Sequence, residues 1–315
     1  MKPIATVTLN PTIDGASEAD EVRPIHKIRT TNERYDPGGG GINVARVVRE
    51  LGGEALVVYL AGGLTGEALN RMLDAAGIER RCVPIEGLTR VSHTVFERCS
   101  RQEYRFVPEG PEIGPGEWRA CLAAVEELDA EYVVASGSLP RGVPADFYAR
   151  VADLVARRGA RLVLDSSGEA LRRALERGVY LVKPNLRELE TAVGRRLASP
   201  GEQDVAAQEL VRNGAAEIVA VSLGADGALL ATAHGVRRLA APDVKPCSAV
   251  GAGDSFVGAI TLALAEGRPR EEAFALAVAT GTATVLTMGT QLCRRADVER
   301  IYDEIRRTQP LGSGA

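Results

Sequence analysis

Residues 249–256 read AVGAGDSF and are followed at once by the apolar run 257–264. The run predicts a helix, and two kinds of chemistry are compatible with its start. One is a glycine-rich turn capped by Asp254, which needs only a short acceptor for the exposed N–H groups. The other is an anion nest. Gly251, Ala252 and Gly253 have little or no side chain, so successive N–H groups converge where the helix dipole is positive. Beside such a nest, Asp254 is placed to take the proton of an attacking hydroxyl while charge on a phosphoryl group in flight is held by the amides. The octapeptide alone leaves both open.

Four other clusters stand at comparable places. Gly38 to Gly41 precede a helix and permit close backbone approach to a polyhydroxy ligand, with Asn43 available as donor and acceptor. A merely flexible loop would carry the entropy of four consecutive glycines without return. SGSLPRG (136–142) ends a strand, at the edge where open α/β sheets bind ligands, and is by itself only a turn. KPNLRE (183–188) enters a helix with Asn185 and Glu188 on one face, a spacing that also makes a capping box. SLGADG (222–227) ends another strand and is either a ligand loop or a hairpin turn. No Gly-Lys dipeptide occurs, and no glycine cluster completes G-x-G-x-x-G with a downstream acid, so both familiar nucleotide fingerprints fail.

The elements that must position these groups alternate. Short apolar runs at 4–9, 55–61, 131–136, 161–165, 180–184 and 217–222 read as strands, with helical periodicity near 41–51, near 65–76 and after each later strand. That rhythm predicts a mainly parallel sheet covered by helices on both faces, a three-layer α/β/α core. Residues 13–35 and 91–107 instead alternate with period two, which predicts antiparallel strands with one wet face, a small β-lid. The core then comprises 1–12, 36–90 and 108–310, and 311–315 is expected to be a disordered tail.

Composition limits the partners. With 315 residues, a formal charge of −4 and 45% hydrophobic residues, the chain shows neither the basic stripe of a nucleic-acid binder nor an apolar run of about 20 residues for a membrane. The start, MKPIATVTLNP, has no apolar leader, which predicts a cytoplasmic protein. Five scattered cysteines argue against a zinc site and a disulfide framework, and His26, His93 and His234 are isolated.

PGGGGINVAR, GSLPRG, KPNLRE, SLGADG and AVGAGDSF, in this order over nearly the whole chain, resemble the ribokinase-like carbohydrate kinases of the phosphofructokinase B family. TLNPTID, EYRFV, VLDSSGEAL, LVKPN and GTQLC are most similar to its second, non-classical bacterial 6-phosphofructokinase branch. The resemblance implies Mg-ATP-dependent phosphorylation of a phosphorylated ketohexose, foremost fructose 6-phosphate. Fructose 1-phosphate and tagatose 6-phosphate are alternatives, and kinases for them carry a lysine where this chain has Gly40.

By the same resemblance Asp254 is the general base and Gly251, Ala252 and Gly253 form the anion hole. Asp14, Gly39 and Asn43 hold sugar hydroxyls, while Lys27, Arg90, Arg105 and Ser138 receive the sugar phosphate, for which guanidinium forks are suited. Lys183 and Asn185 serve the ATP phosphates, and Glu188 the hydrated magnesium. Ser222, Gly224 and Gly227 surround the adenosine with Val285 and Gly289. Ser248 and Val250 fit a potassium site, and the lid implies a homodimer. Arg23, Thr287 and Ala249 depart from the family's tyrosine, asparagine and threonine. A sugar or nucleotide sensor without catalysis is a further reading, which an intact Asp254 and nest disfavour. A nucleoside kinase would not need Arg90 and Lys27 together.

Overall fold

A computed structural model describes residues 2–309, so the tail expected over 311–315 lies outside the described residues. In chain order the strands are β1 (Ile4–Thr8), β2 (Thr12–Ala19), β3 (Thr31–Gly38), β4 (Ala55–Ala61), β5 (Glu79–Pro84), β6 (Arg90–Glu97), β7 (Gln102–Phe106), β8 (Tyr132–Ser136), β9 (Arg161–Asp165), β10 (Val179–Val182), β11 (Ala216–Ser222), β12 (Ala228–Thr232) and β13 (Gly235–Leu239). Nine of them form one sheet in the order β13-β12-β11-β10-β9-β8-β1-β4-β5.

The sheet is parallel from β5 to β11, and β12 and β13 continue it antiparallel. Its central strands are mostly apolar and buried along almost their whole length, because both faces are covered. In β4, Val57 and Tyr59 face one core and Val58 and Leu60 the other. The first core lies under α1 (Gly40–Glu50), α2 (Gly63–Ala75), α8 (Ala252–Ala265), α9 (Arg270–Thr284) and α10 (Arg295–Thr308). The second lies under α3 (Pro115–Glu126), α4 (Phe147–Arg157), α5 (Gly168–Leu175), α6 (Leu186–Val193) and α7 (Pro200–Arg212). Helix α8 is buried at every position from Ser255 to Leu264, which explains its lack of a polar face.

Residues 12–38 and 90–106 carry a second, four-stranded sheet, ordered β3-β2-β6-β7. One expectation needs correction: the central pair, β2 and β6, is parallel, and only the outer strands β3 and β7 run antiparallel to it. Period-two patterning reports which face is wet and not which way the neighbour runs. The residues between Ala19 and Thr31 form a connection and no strand, so the alternation read over 13–35 spans two strands and a loop.

Candidate active site

Helix α8 does not use Asp254 as its cap. Gly251 is the N-cap residue, in the left-handed region at φ 75°, with no side-chain cap bond, and Asp254 falls at the third helical position. The helix bonds begin with Ser255 N to Gly251 O at 2.8 Å, so the amides of Gly253 and Asp254 have no acceptor inside the helix. The capping alternative therefore fails for this residue, and an open first turn remains. An alanine at Gly251 would also bring its Cβ to 2.5 Å from Leu292 Cδ2.

The Asp254 carboxylate sits among charges. Asn43 Nδ2 on α1 donates to its Oδ2 at 2.9 Å. Asp165, the last residue of β9, pairs with buried Lys183, just after β10, at 3.1 Å. Burial pushes the Asp254 pKa up, and Asp165 and Asp14 add to this while Asn43 and Lys183 oppose it, giving about 7. Burial also works against the Lys183 ammonium, but Asp165, Glu188 and Asp254 outweigh it and hold its pKa above the ordinary lysine value. A Cβ on Gly253 would lie 3.4 Å from Lys183 Nζ, which places the ammonium over the open helix turn.

The glycine quartet is shaped by its own neighbours. A Cβ at Gly38 would meet the Asp14 carboxylate, at Gly40 Ser136 Oγ at 2.2 Å, and at Gly41 Thr8 Oγ1 at 2.4 Å. These residues start α1 tight against the ends of β1 and β8, so the flexible-loop alternative also fails. Gly39, at φ 106°, rests on Pro11 and Thr8. Asp14 accepts from Ser92 Oγ on the neighbouring lid strand. Arg90 at the lid root donates to Asn10 O and Pro108 O, both at 2.9 Å. Burial lowers the pKa of Arg90, with Asp14 opposing.

Not every expected residue joins this group. Ser138 is exposed on the loop after β8, and Arg105 is exposed on β7. Lys27 is exposed in the connection at the end of the lid sheet opposite Thr12, Arg90 and Gly38. Asn185 and Glu188 form a full capping box at the start of α6, Asn185 N to Glu188 Oε2 at 2.8 Å and Glu188 N to Asn185 Oδ1 at 2.9 Å. Burial raises the Glu188 pKa, and the bond from Asn185 N and the charge of Lys183 oppose it.

Residues 222–227 are the turn of the β11–β12 hairpin, and they also line a cleft. The cleft, of about 500 Å³, runs from Ser222, Gly224 and Gly227 past Pro246 and Val285 to Ala252 and Gly253, ending at the open turn of α8. Gly289 is not among its lining residues: a Cβ there would lie 2.9 Å from Ala16 of the lid. Thr287 bonds back to Thr284 O and Gln291 O within its own loop. Ser248 Oγ donates to Glu103 Oε2 at 3.1 Å and accepts from Val250 N at 3.3 Å. A second cleft, of about 450 Å³ and lined by Tyr180, Gly178 and Glu217, lies by the opposite ends of β10 and β11, away from these groups.

Sequence reading missed Asp165 and Ser92. An acid at the carboxyl end of the strand run RLVLD is a recognisable signal, since that edge is where open α/β sheets work. Ser92 carries no such mark. Together the arrangement offers a base ionising near neutrality, open amides, a buried cation and an adjoining apolar cleft, which are the parts phosphoryl transfer needs.

Residues 8–297 match the pfkB family of carbohydrate kinases. The chain is 46% identical over 302 residues to the ATP-dependent 6-phosphofructokinase isozyme 2 of Mycobacterium tuberculosis, covering 95% of this chain and 89% of that one. It is 33% identical over 307 residues to the 1-phosphofructokinase of Bacillus subtilis, covering 97% and 99%. The crystal structure of phosphofructokinase-2 from Escherichia coli in complex with fructose-6-phosphate matches with a TM-score of 0.92 at 40% identity, covering 98% and 100%. Its complex with potassium matches with a TM-score of 0.94 at 41% identity over the same shares.

Proposed function

The chain belongs to the pfkB family of carbohydrate kinases, and on that premise we propose that it transfers the terminal phosphoryl group of ATP to the 1-hydroxyl of fructose 6-phosphate, giving fructose 1,6-bisphosphate. The observation that carries the reading is Asp254 at the open first turn of α8, where the apolar cleft ends. The acceptor choice rests on the 46% identity to a 6-phosphofructokinase against 33% to a 1-phosphofructokinase. Gly40, packed on Ser136 with no room for a side chain, agrees with it.

In this reading Asp254 takes the proton of the 1-hydroxyl as the oxygen attacks phosphorus, and its pKa of about 7 suits a base working near neutrality. The amides of Gly253 and Asp254, with that of Gly251 beside them and that of Ala252 once it leaves its long bond to Ala249 O, take up charge on the equatorial oxygens. Lys183 bridges toward the leaving phosphate, and Asp165 keeps it charged. Asp14, Gly39 and Asn43 orient the sugar and Arg90 meets its phosphate, while Ser138 and Arg105, exposed on the loop after β8 and on β7, would have to swing in to reach it. The hairpin turn and Val285 hold the adenosine, and Gly289 acts at the lid contact.

Magnesium, when bound with the nucleotide, neutralises phosphate charge. Among the described residues no three His, Cys, Asp or Glu side chains stand close enough to hold a metal directly. That fits a hydrated ion carried mainly by phosphate oxygens, whose waters Glu188 would hold while it also caps α6. Potassium would be held by the carbonyls of Ser248 and Val250, with the Ser248 hydroxyl already donating to Glu103 and accepting from Val250 N.

The enzyme works as a homodimer in which the lids clasp. Tyr35, Gly15, His93 and Phe106 form one row across the outer lid face, with Tyr35 and Phe106 more than half exposed and Ile25 fully so. Lys27 stands at the opposite end of its own lid from Asp14, and a second copy brings it to the sugar phosphate. No helix among the described residues is long and apolar enough to cross a membrane, and ATP and sugar phosphates as substrates favour the cytoplasm.

ADP release measured with fructose 6-phosphate, fructose 1-phosphate and tagatose 6-phosphate tests the acceptor. Fructose 6-phosphate is expected to lead in kcat/KM, and a hundredfold preference for either alternative overturns the choice. Sedimentation at micromolar concentration is expected to give a dimer, and a monomer alone removes the clasp.

A further inference from the structure

We propose that Arg46 is a positioning residue for phosphoryl transfer: it fixes the side-chain amide of Asn43 so that the amide can only donate to Asp254. The inference rests on the reading of Asp254 as base. An asparagine amide has a donor end and an acceptor end of nearly the same shape, so packing alone does not choose between its two orientations. Turned the wrong way, Asn43 Oδ1 would face the Asp254 carboxylate, acceptor against acceptor.

What chooses is chemistry one turn along α1. Arg46 lies three residues after Asn43, on the same helix face, and its Nη1 stands 3.2 Å from Asn43 Oδ1. A guanidinium has only donors, so the amide oxygen must face it and the amide N–H must face Asp254. The fork is itself held. Arg46 Nη1 also donates to Pro37 O at 3.0 Å and Nη2 to Asp36 Oδ1 at 3.2 Å, and its side chain is only 17% exposed. Asp36 in turn accepts from Arg34 Nε at 3.2 Å and from Thr290 Oγ1. One hydrogen-bonded line thus runs from the foot of β3 and the loop after α9 to the base.

The groups acting on Asp254 are Asp165 at the end of β9, Lys183 after β10, Asp14 on β2, and Asn43 with Arg46 behind it on α1. Lys183 supplies attraction without direction. Among the described residues Asn43 supplies the one directed hydrogen bond to the Asp254 carboxylate, and Arg46 holds that bond in register. Loosening the fork lets the amide rotate, removes a bond that favours the ionised form, and leaves the base protonated at higher pH.

Arg46→Lys keeps the positive charge opposite Asp36 and gives up the fork, so it separates orientation from charge. In kcat/KM profiles from pH 5 to 9 on fructose 6-phosphate, the acid limb of this variant is expected to move up by about half to one pH unit, the scale of one hydrogen bond, with KM for ATP little changed. In an Asn43→Ala background the same substitution is expected to move the limb no further, because the relay is already cut. A residue with only a structural role would lower rates equally at all pH and leave the limb in place, and that result overturns the proposal. A carbon-13 titration of the Asp254 carboxyl, assigned by its loss in Asp254→Asn, reads the same shift without turnover. If wild-type protein turned over no sugar, the kinase reading would fall, while the titration would still decide on Arg46. A coincident titration in wild type and Arg46→Lys overturns it on either route.

Discussion

Replacing Asp254 by asparagine should stabilise the protein in a manner that depends on pH while it abolishes turnover. The folded protein holds the Asp254 proton up to a pKa of about 7, against an ordinary 3.8. A group raised in this way contributes stability that is fully present below pH 3.8 and is lost progressively as the pH climbs to 7. At pH 8 the whole shift of about three units counts against the folded state, on the order of 4 kcal/mol. At pH 5 only about one unit does.

Asparagine mimics the neutral acid at every pH, so any constant cost of the substitution cancels when the two pH values are compared. The stability gap in favour of Asp254→Asn should therefore shrink by roughly 3 kcal/mol from pH 8 to pH 5. An unfolding entropy of roughly 2 cal/mol/K per residue over this chain gives about 0.7 kcal/mol/K, so the gap in Tm should narrow by about 4 °C. Thermal melts of both proteins at half-unit pH steps read this directly. Turnover of the variant on fructose 6-phosphate should fall at least about a hundredfold, the scale of a lost general base. A gap that stays constant over pH 5 to 8, or that widens toward acid, refutes the claim that burial and Asp165 have raised this carboxyl.

Lys183→Met should leave the partly buried Asp165 without its cation beside a second carboxylate, and urea unfolding should register a loss of about 2 to 4 kcal/mol together with a drop in turnover. Gly40→Ala places a methyl 2.2 Å from Ser136 Oγ and 3.0 Å from Gly137 N; the loop after β8 must shift, and KM for the sugar phosphate should rise about tenfold while KM for ATP changes little.

The parallel sheet was legible because its strands are short, mostly apolar runs, as in β1 and β8, which are buried at every position, a pattern that coverage on both faces explains. The site was legible because its chemistry sits on glycine-rich starts of helices, whose composition is conspicuous. What escaped reading has physical causes. The parallel pairing of β2 with β6 is set by how both strands leave the core, which no local pattern encodes. The choice between cap and base at Asp254 depended on three residues of offset, decided by Gly251 taking the left-handed conformation. At residues 185–188 and 222–227 the alternatives were not exclusive: Glu188 does cap α6, and the loop that lines the cleft is also a hairpin turn. Gly289 was read for a nucleotide wall, yet lies against Ala16, because a loop's neighbours across the lid are not visible in its own residues.

The same trade of stability for readiness that raises the Asp254 pKa recurs on the sugar side. Thr8 Oγ1, Asn10 Oδ1, Ser136 Oγ and Arg90 Nε are buried without a hydrogen-bond partner among the described residues, and all four stand at the ends of β1 and β8 or the root of the lid. Each such atom costs about 1 to 3 kcal/mol if nothing satisfies it. Valine for Thr8 and alanine for Ser136 would fill nearly the same space without that cost, so packing does not require hydroxyls there. Solvent or a polyhydroxy ligand must complete these groups. Glycines 40 and 41 bring the helix start directly against Ser136 and Thr8 at those strand ends, and Gly38 lies against Asp14 of the lid. If Asp254 is the base, polar atoms left unpartnered by close packing beside it are the surface that a polyhydroxy substrate would complete.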